Sequence, residues 1–142
     1  MFEVGPAGEG GLRLGFLQAP HPALTRCLLR IQSAAKRYFG ENMADSVVGY
    51  TTLTLLFHPL RLERDRAYAW LTEQAECAAL ADSDGDNLTG TLVTLPVLYH
   101  PLVAPDLEWL ADQKNMSLDQ IVALHTGTTY FAYATGFAPG FC

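Results

Sequence analysis

The sequence predicts an α+β protein: one mixed sheet with helices packed on it. Three observations carry that prediction. Strand-period and helix-period segments interleave in the order β-β-α-β-β-α-β-α-α-β, too irregular for repeated βαβ units. Apolar residues make up 49% of the 142, enough to fill the core of one ordinary domain. No run approaches the length of apolar sequence that a membrane span needs.

Residues 2–18 read as two short strands around a glycine-rich bend, Gly8 to Gly11, because Leu12, Leu14 and Phe16 alternate with Arg13, Gly15 and Leu17. Residues 22–39 form the clearest helix. Leu24, Leu28, Ile31, Ala35 and Tyr38 recur at steps of three and four, Pro22 suits a first turn, and Gly40 suits a left-handed end. Val47 to His58 follows as an extended segment rich in Thr, Leu and Phe, stopped by Pro59. A helix over about 63–80 places Ala67, Leu71, Gln74 or Ala75, and Ala78 on one weakly apolar stripe.

The connector DSDGDNLTG, residues 82–90, imitates the start of a calcium loop. The sixth and twelfth places should be Gly and Glu but are Asn87 and Val93, so a solvated connector is the better account. Thr91 to Tyr99 alternates as a strand, with Pro96 restricting it to an edge or a bulge. Two short helices follow. One runs from about Asp106 to Lys114; the other begins at Ser117, which with Gln120 has the spacing of a capping box. Thr128 to Thr135 reads as a last strand, and GFAPGF then delivers Phe137 and Phe141 to the end. An apolar, aromatic end implies that a partner, or further chain, covers it.

Composition excludes several classes of function. Nine Lys and Arg face fifteen acidic residues, for a net charge of −6. Nucleic-acid binding needs a basic footprint. Arg26, Arg30, Lys36 and Arg37 fall on one helix, where an exposed face explains them. Cys27, Cys77 and Cys142 are far apart and form no CxxC, so neither a zinc knuckle nor a redox pair is indicated. The N-terminal residues lack the basic and apolar segments of a signal peptide, which makes the cytoplasm the expected compartment. Only 17% of residues are charged, against about a quarter in an average domain, which suggests a surface covered by a partner.

No complete catalytic constellation is present. His21, His58, His100 and His125 form no HxxxH, and the sequence has no GxSxG. Asp106, Glu108 and Asp112 read as a solvated face. The GEGG bend lacks GxGxxG spacing and precedes a strand, a poor phosphate cradle. His125 stands out because it ends a helix just before the GTTY segment; capping that helix is the plainer account of it. The turn Gly136-Phe137-Ala138-Pro139-Gly140-Phe141 presents backbone amides and rings either to a ligand or to a neighbouring chain.

Four stretches resemble a known family in order along the chain. VGPAGEGGLRLGF is similar to GDxALxVxF, and YTTLTLLFHP to YxSLLVxYDP. LVTLPVLYHPLVAPDLEWLA is similar to LVEIPVxY followed by GPDLEEVA. SLDQIVALHTGTTYFAYATGFAPGF carries the strongest match: helix, His, Tyr-containing segment and GFxPGF at the family's spacing. The chain thus resembles the carboxyltransferase subdomain C and D family. That family groups the B-type subunit of 5-oxoprolinase, the first subunit of allophanate hydrolase and the sporulation-kinase inhibitor KipI. Departures are the missing early Asp, Gly49 in place of Pro, Phe131 in place of Arg and Thr135 in place of an aliphatic residue.

The resemblance implies a non-autonomous subunit of an ATP-dependent hydrolase complex, acting on 5-oxoproline or an allophanate-like amide. A KipI-like inhibitor of a histidine kinase is the alternative. ATP would be used by the assembled complex. The partners implied are a sister subunit, a LamB/YcsF-like subunit or a second copy, with no nucleic acid and no membrane. The organisation implied is a core over 1–90, a strand-helix-helix-strand segment over 91–135, and over 136–142 the truncated start of a cyclophilin-like β domain. His125, Tyr130, Gly136, Phe137, Pro139, Gly140 and Phe141 would line a shared cleft or interface, with no catalytic residue and no metal ligand among them.

Overall fold

Alternating leucines on two adjacent strands seed the core. The computed structural model describes residues 1–61, 63–80 and 91–136. Strands β1 (Phe2–Pro6), β2 (Gly11–Phe16), β3 (Met43–Val48) and β4 (Thr52–Phe57) form one sheet in the order β1-β2-β4-β3. Leu14 lies between Val4 and Leu53 in the register, and Leu12 opposite Leu55. Leu12, Leu14, Phe16, Leu53, Leu55 and Phe57 therefore share one face, and all are buried. Helices α1 (Pro22–Phe39) and α2 (Arg64–Leu80) cover that face with Leu24, Leu28, Ile31, Ala35, Ala67, Leu71 and Ala75. Each large side chain buried there contributes on the order of 2 kcal/mol.

The helix ends follow the sequence signals. Pro22 begins α1, the His21 ring accepts from the Ala23 amide at 3.2 Å, and Gly40 at φ 51° closes the helix, its amide donating a hydrogen bond to Lys36 O. Tyr38, expected on the buried stripe, is 46% exposed. Its ring instead stacks on Trp70 at 5.3 Å beneath the Arg66 guanidinium, and its hydroxyl accepts from Arg66 Nε at 3.2 Å. Phe39 takes the inward role, edge-on to Phe57 at 5.0 Å.

The expected mixed sheet is corrected: every ladder is antiparallel. A strand–helix–strand unit predicts that β2 and β3 pair in parallel. Strand β4 inserts between them and turns one parallel pair into two antiparallel ladders. The single extended segment expected over 47–58 is likewise two strands. A turn at Gly49–Thr51 folds β3 back on β4, with the Gly49 amide on Thr52 O at 2.8 Å.

The sheet is open, with β1 and β3 at its edges, and it does not close into a barrel. The expected run into a cyclophilin-like β domain is therefore overturned, and among the described residues no strand follows β4. Residues 91–99 and 128–135 form no ladder. Alternation supplies strand propensity, but a strand also needs a neighbour for its backbone groups, and Pro96 cannot donate. Leu92 and Leu95 are both largely exposed.

The chain divides into two compact units, Met1–Leu88 with Ala132–Cys142, and Thr89–Phe131. In the second unit, α3 (Leu107–Lys114) and α4 (Leu118–Thr126) bury Leu107, Ala111 and Ile121. Asn115, at φ 51° and ψ 46°, ends α3 in the left-handed region, and Ser117 starts α4. The calcium-loop imitation at 82–90 lies outside the described residues.

Candidate functional site

The strongest side-chain constellation in the second unit is set by α4. The Ser117 hydroxyl accepts from the Gln120 amide at 3.2 Å, and the Gln120 side chain accepts from the Ser117 amide at 2.8 Å. This is the capping box that the sequence spacing predicts. With the first turn pinned and Ile121 buried, the last turn presents His125 at the surface. The Thr126 hydroxyl donates to Val122 O at 2.8 Å and the Thr128 hydroxyl to Leu124 O at 2.9 Å, so side chains tie the exit of the helix.

His125 stands between two tyrosines. Its Nδ1 is hydrogen-bonded to the Tyr99 hydroxyl. The Tyr99 ring lies 5.8 Å away and edge-on, and the Tyr130 ring lies 5.4 Å away and tilted. Tyr99 is half-buried against the α3–α4 core, whereas His125 and Tyr130 are exposed. A phenol hydroxyl both donates and accepts, so it can pair with Nδ1 in either imidazole tautomer. The couple can pass a proton between phenol and imidazole, and the exposed ring can meet a ligand.

Of the residues the sequence singles out, His125 and Tyr130 come together here. Gly136 belongs to the other unit. Its φ of 151° needs glycine, although a Cβ there would meet only open space. Phe137, Pro139, Gly140 and Phe141 lie outside the described residues. Tyr99 is the member that sequence reading misses. It reads as one of an alternating strand face, and only the folded turn brings it to His125. The signal lay in His100-Pro101 next to it: the His100 ring accepts from the Leu102 amide at 3.2 Å and holds a tight turn. Asp106, Glu108 and Asp112 are exposed, as a solvated face requires.

The glycine bend is occupied by its own backbone. The Ala7 amide donates to Gly11 O at 2.9 Å, and a Cβ on Gly11 would stand 2.6 Å from Ala7 O. Those residues close the β1–β2 hairpin and do not fit a phosphate. Among the described residues, no three His, Cys, Asp or Glu side chains converge as metal ligands would, and no helix is long and apolar enough to cross a membrane.

The sequence pattern of the carboxyltransferase domain, subdomain C and D, matches residues 2–142. The B-type subunit of 5-oxoprolinase from Bacillus subtilis is 40% identical over 50 residues, which is 35% of this chain and 21% of that protein. A conserved uncharacterized protein from Pyrococcus horikoshii superposes over 96% of this chain and 60% of its own, with 20% identity and a TM-score of 0.49. The chain thus spans less than two thirds of the length of either protein.

Proposed function

The chain belongs to the family of carboxyltransferase domains, subdomain C and D, and from that membership we propose that it works as a non-autonomous subunit of an amide hydrolase. The substrate of this reading is 5-oxoproline or an allophanate-like amide. The observation that carries it is the 40% identity to a 5-oxoprolinase subunit over 50 residues. A subunit role also fits a surface poor in charge and rich in uncovered apolar groups, such as Leu92, Leu95 and Val103.

In this reading Tyr99, His125 and Tyr130 line a cleft shared with the sister subunit. Opening an amide leaves a nitrogen that must gain a proton, and an imidazole held by a phenol suits that task. ATP would be used by the assembled complex, with its phosphates held elsewhere than at the closed glycine hairpin.

The experiment is reconstitution. The chain is mixed with its sister subunit and a LamB/YcsF-like subunit, and ATP-dependent release of glutamate from 5-oxoproline is followed. Turnover that needs the chain, and falls on the order of a hundredfold in His125→Gln while assembly persists, supports the reading. Turnover indifferent to the chain overturns it. Binding to a histidine kinase with no effect on turnover would favour a regulatory protein instead.

A further inference from the structure

The two edges of the sheet are finished differently. On β3 a bulge breaks the register between Met43 and Asp45. Both backbone groups of Ser46 are taken: its amide donates to Asp45 Oδ1 at 2.7 Å, and Gln32 Nε2 reaches from α1 to its carbonyl at 3.2 Å and its Oγ at 2.9 Å. Bulges and capped backbone groups are how folds protect an edge from further pairing.

Among the described residues, no side chain caps the backbone of edge β1 in this way. The Leu17 amide donates to Met1 O at 3.0 Å and the Ala7 amide to Gly11 O at 2.9 Å. In an antiparallel ladder this phase turns Glu3 and Gly5 toward β2 and points the amides and carbonyls of Phe2 and Val4 outward. A groove of about 540 Å³ runs beside the strand, with Tyr68 and Thr72 of α2 as its far wall. Its two sides differ in chemistry. Phe2 and Val4 lie on the helix side with Tyr68, and Glu3 stands on the other face, at the outer strand, with Gly5 and Gly15 beside it and Arg13 one strand further in, paired with Gly5.

We propose that the β1 edge and this groove receive an extended segment of a partner protein as a fifth strand, with apolar side chains facing Val4 and Tyr68 and a lysine or arginine facing Glu3. Main-chain bonds to Phe2 and Val4 supply affinity, and the alternating sides supply specificity. A second copy of this chain fits less well. Two β1 strands paired about a two-fold axis through Glu3 set like charges face to face. Moving the axis to Val4 sets Phe2 against Pro6, which has no amide to donate. The chain's net charge of −6 also favours a basic strand over a second copy. The inference concerns this chain's own edge and holds whichever enzyme is assembled.

The test uses a capped heptapeptide alternating valine and lysine, with hydrogen exchange read at the Val4 amide. The expected result is at least a tenfold slowing, absent with a valine–glutamate peptide. Glu3→Lys should exchange those preferences. Read instead at the outward Phe2 amide, which the peptide should also slow, Val4→Pro removes one main-chain bond and should abolish that slowing while the β2–β4 amides stay protected. No slowing, or equal slowing by a glycine–lysine peptide, overturns the proposal. Protection that grows with protein concentration alone assigns the edge to a second copy and overturns it too. A sister subunit that assembles and leaves the Val4 amide unprotected would overturn this site as the interface, while the hydrolase reading stands.

Discussion

Tyr99 and His125 are 26 residues apart in sequence, and the phenol hydroxyl of one is bonded to Nδ1 of the other. Tyr99→Phe removes that hydrogen-bond partner of Nδ1. The ¹⁵N resonance of His125 Nδ1 should move, while stability changes by no more than about 1 kcal/mol, because the bond is exposed. An unmoved resonance would show that the two groups are not coupled in solution.

Thr25 is 4% exposed, and its hydroxyl is buried without a hydrogen-bond partner among the described residues. An unsatisfied buried hydroxyl costs about 1–3 kcal/mol. Thr25→Val keeps the shape and removes the polar atom. We expect a gain of about 1 kcal/mol, seen as a thermal midpoint about 4 °C higher. A lower midpoint would mean that the hydroxyl is satisfied after all.

Ser117 and Gln120 exchange two hydrogen bonds at the start of α4. Ser117→Ala should cost about 1 kcal/mol, and Ser117→Asp should recover most of it. The loss should appear first as faster exchange of the Gln120 amide. Equal exchange in wild type and Ser117→Ala would refute the capping box.

Burial holds the Cys27 thiol above its ordinary value of 9.0, with the Arg30 charge pulling weakly the other way. Cys77 is exposed. In a Cys142→Ser background, iodoacetamide at pH 8.5 should modify Cys77 about tenfold faster than Cys27. A thiol whose folded value is raised favours the fold below its unfolded value, and that contribution is lost as pH rises through the folded value. Urea midpoints should therefore fall above pH 9, and Cys27→Ala should flatten that part of the profile. A steeper fall in the variant would contradict a raised thiol.

Local signals were enough for the elements that stabilise themselves or carry their own caps. Pro22, the Leu24–Leu28–Ile31–Ala35 stripe and Gly40 bounded α1 as the structure has it. Ser117 and Gln120 announced α4 three residues apart. Leu12, Leu14 and Phe16 declared a buried strand face by period alone. For the helices the deciding contacts lie within a few residues, and for β2 the period alone says which side chains share a face, though not which strand they meet.

What only the tertiary structure decided was pairing. Residues 91–99 and 128–135 have the composition of strands, yet a strand exists only where another backbone answers its amides, and composition cannot name that neighbour. The place of β4 between β2 and β3 made the sheet antiparallel and left β1 as an open edge. The meeting of Tyr99 with His125 has the same origin. Helices and caps close their bonds locally, whereas sheet order and side-chain encounters depend on which distant segments share a surface, and that is settled by burying the core as a whole.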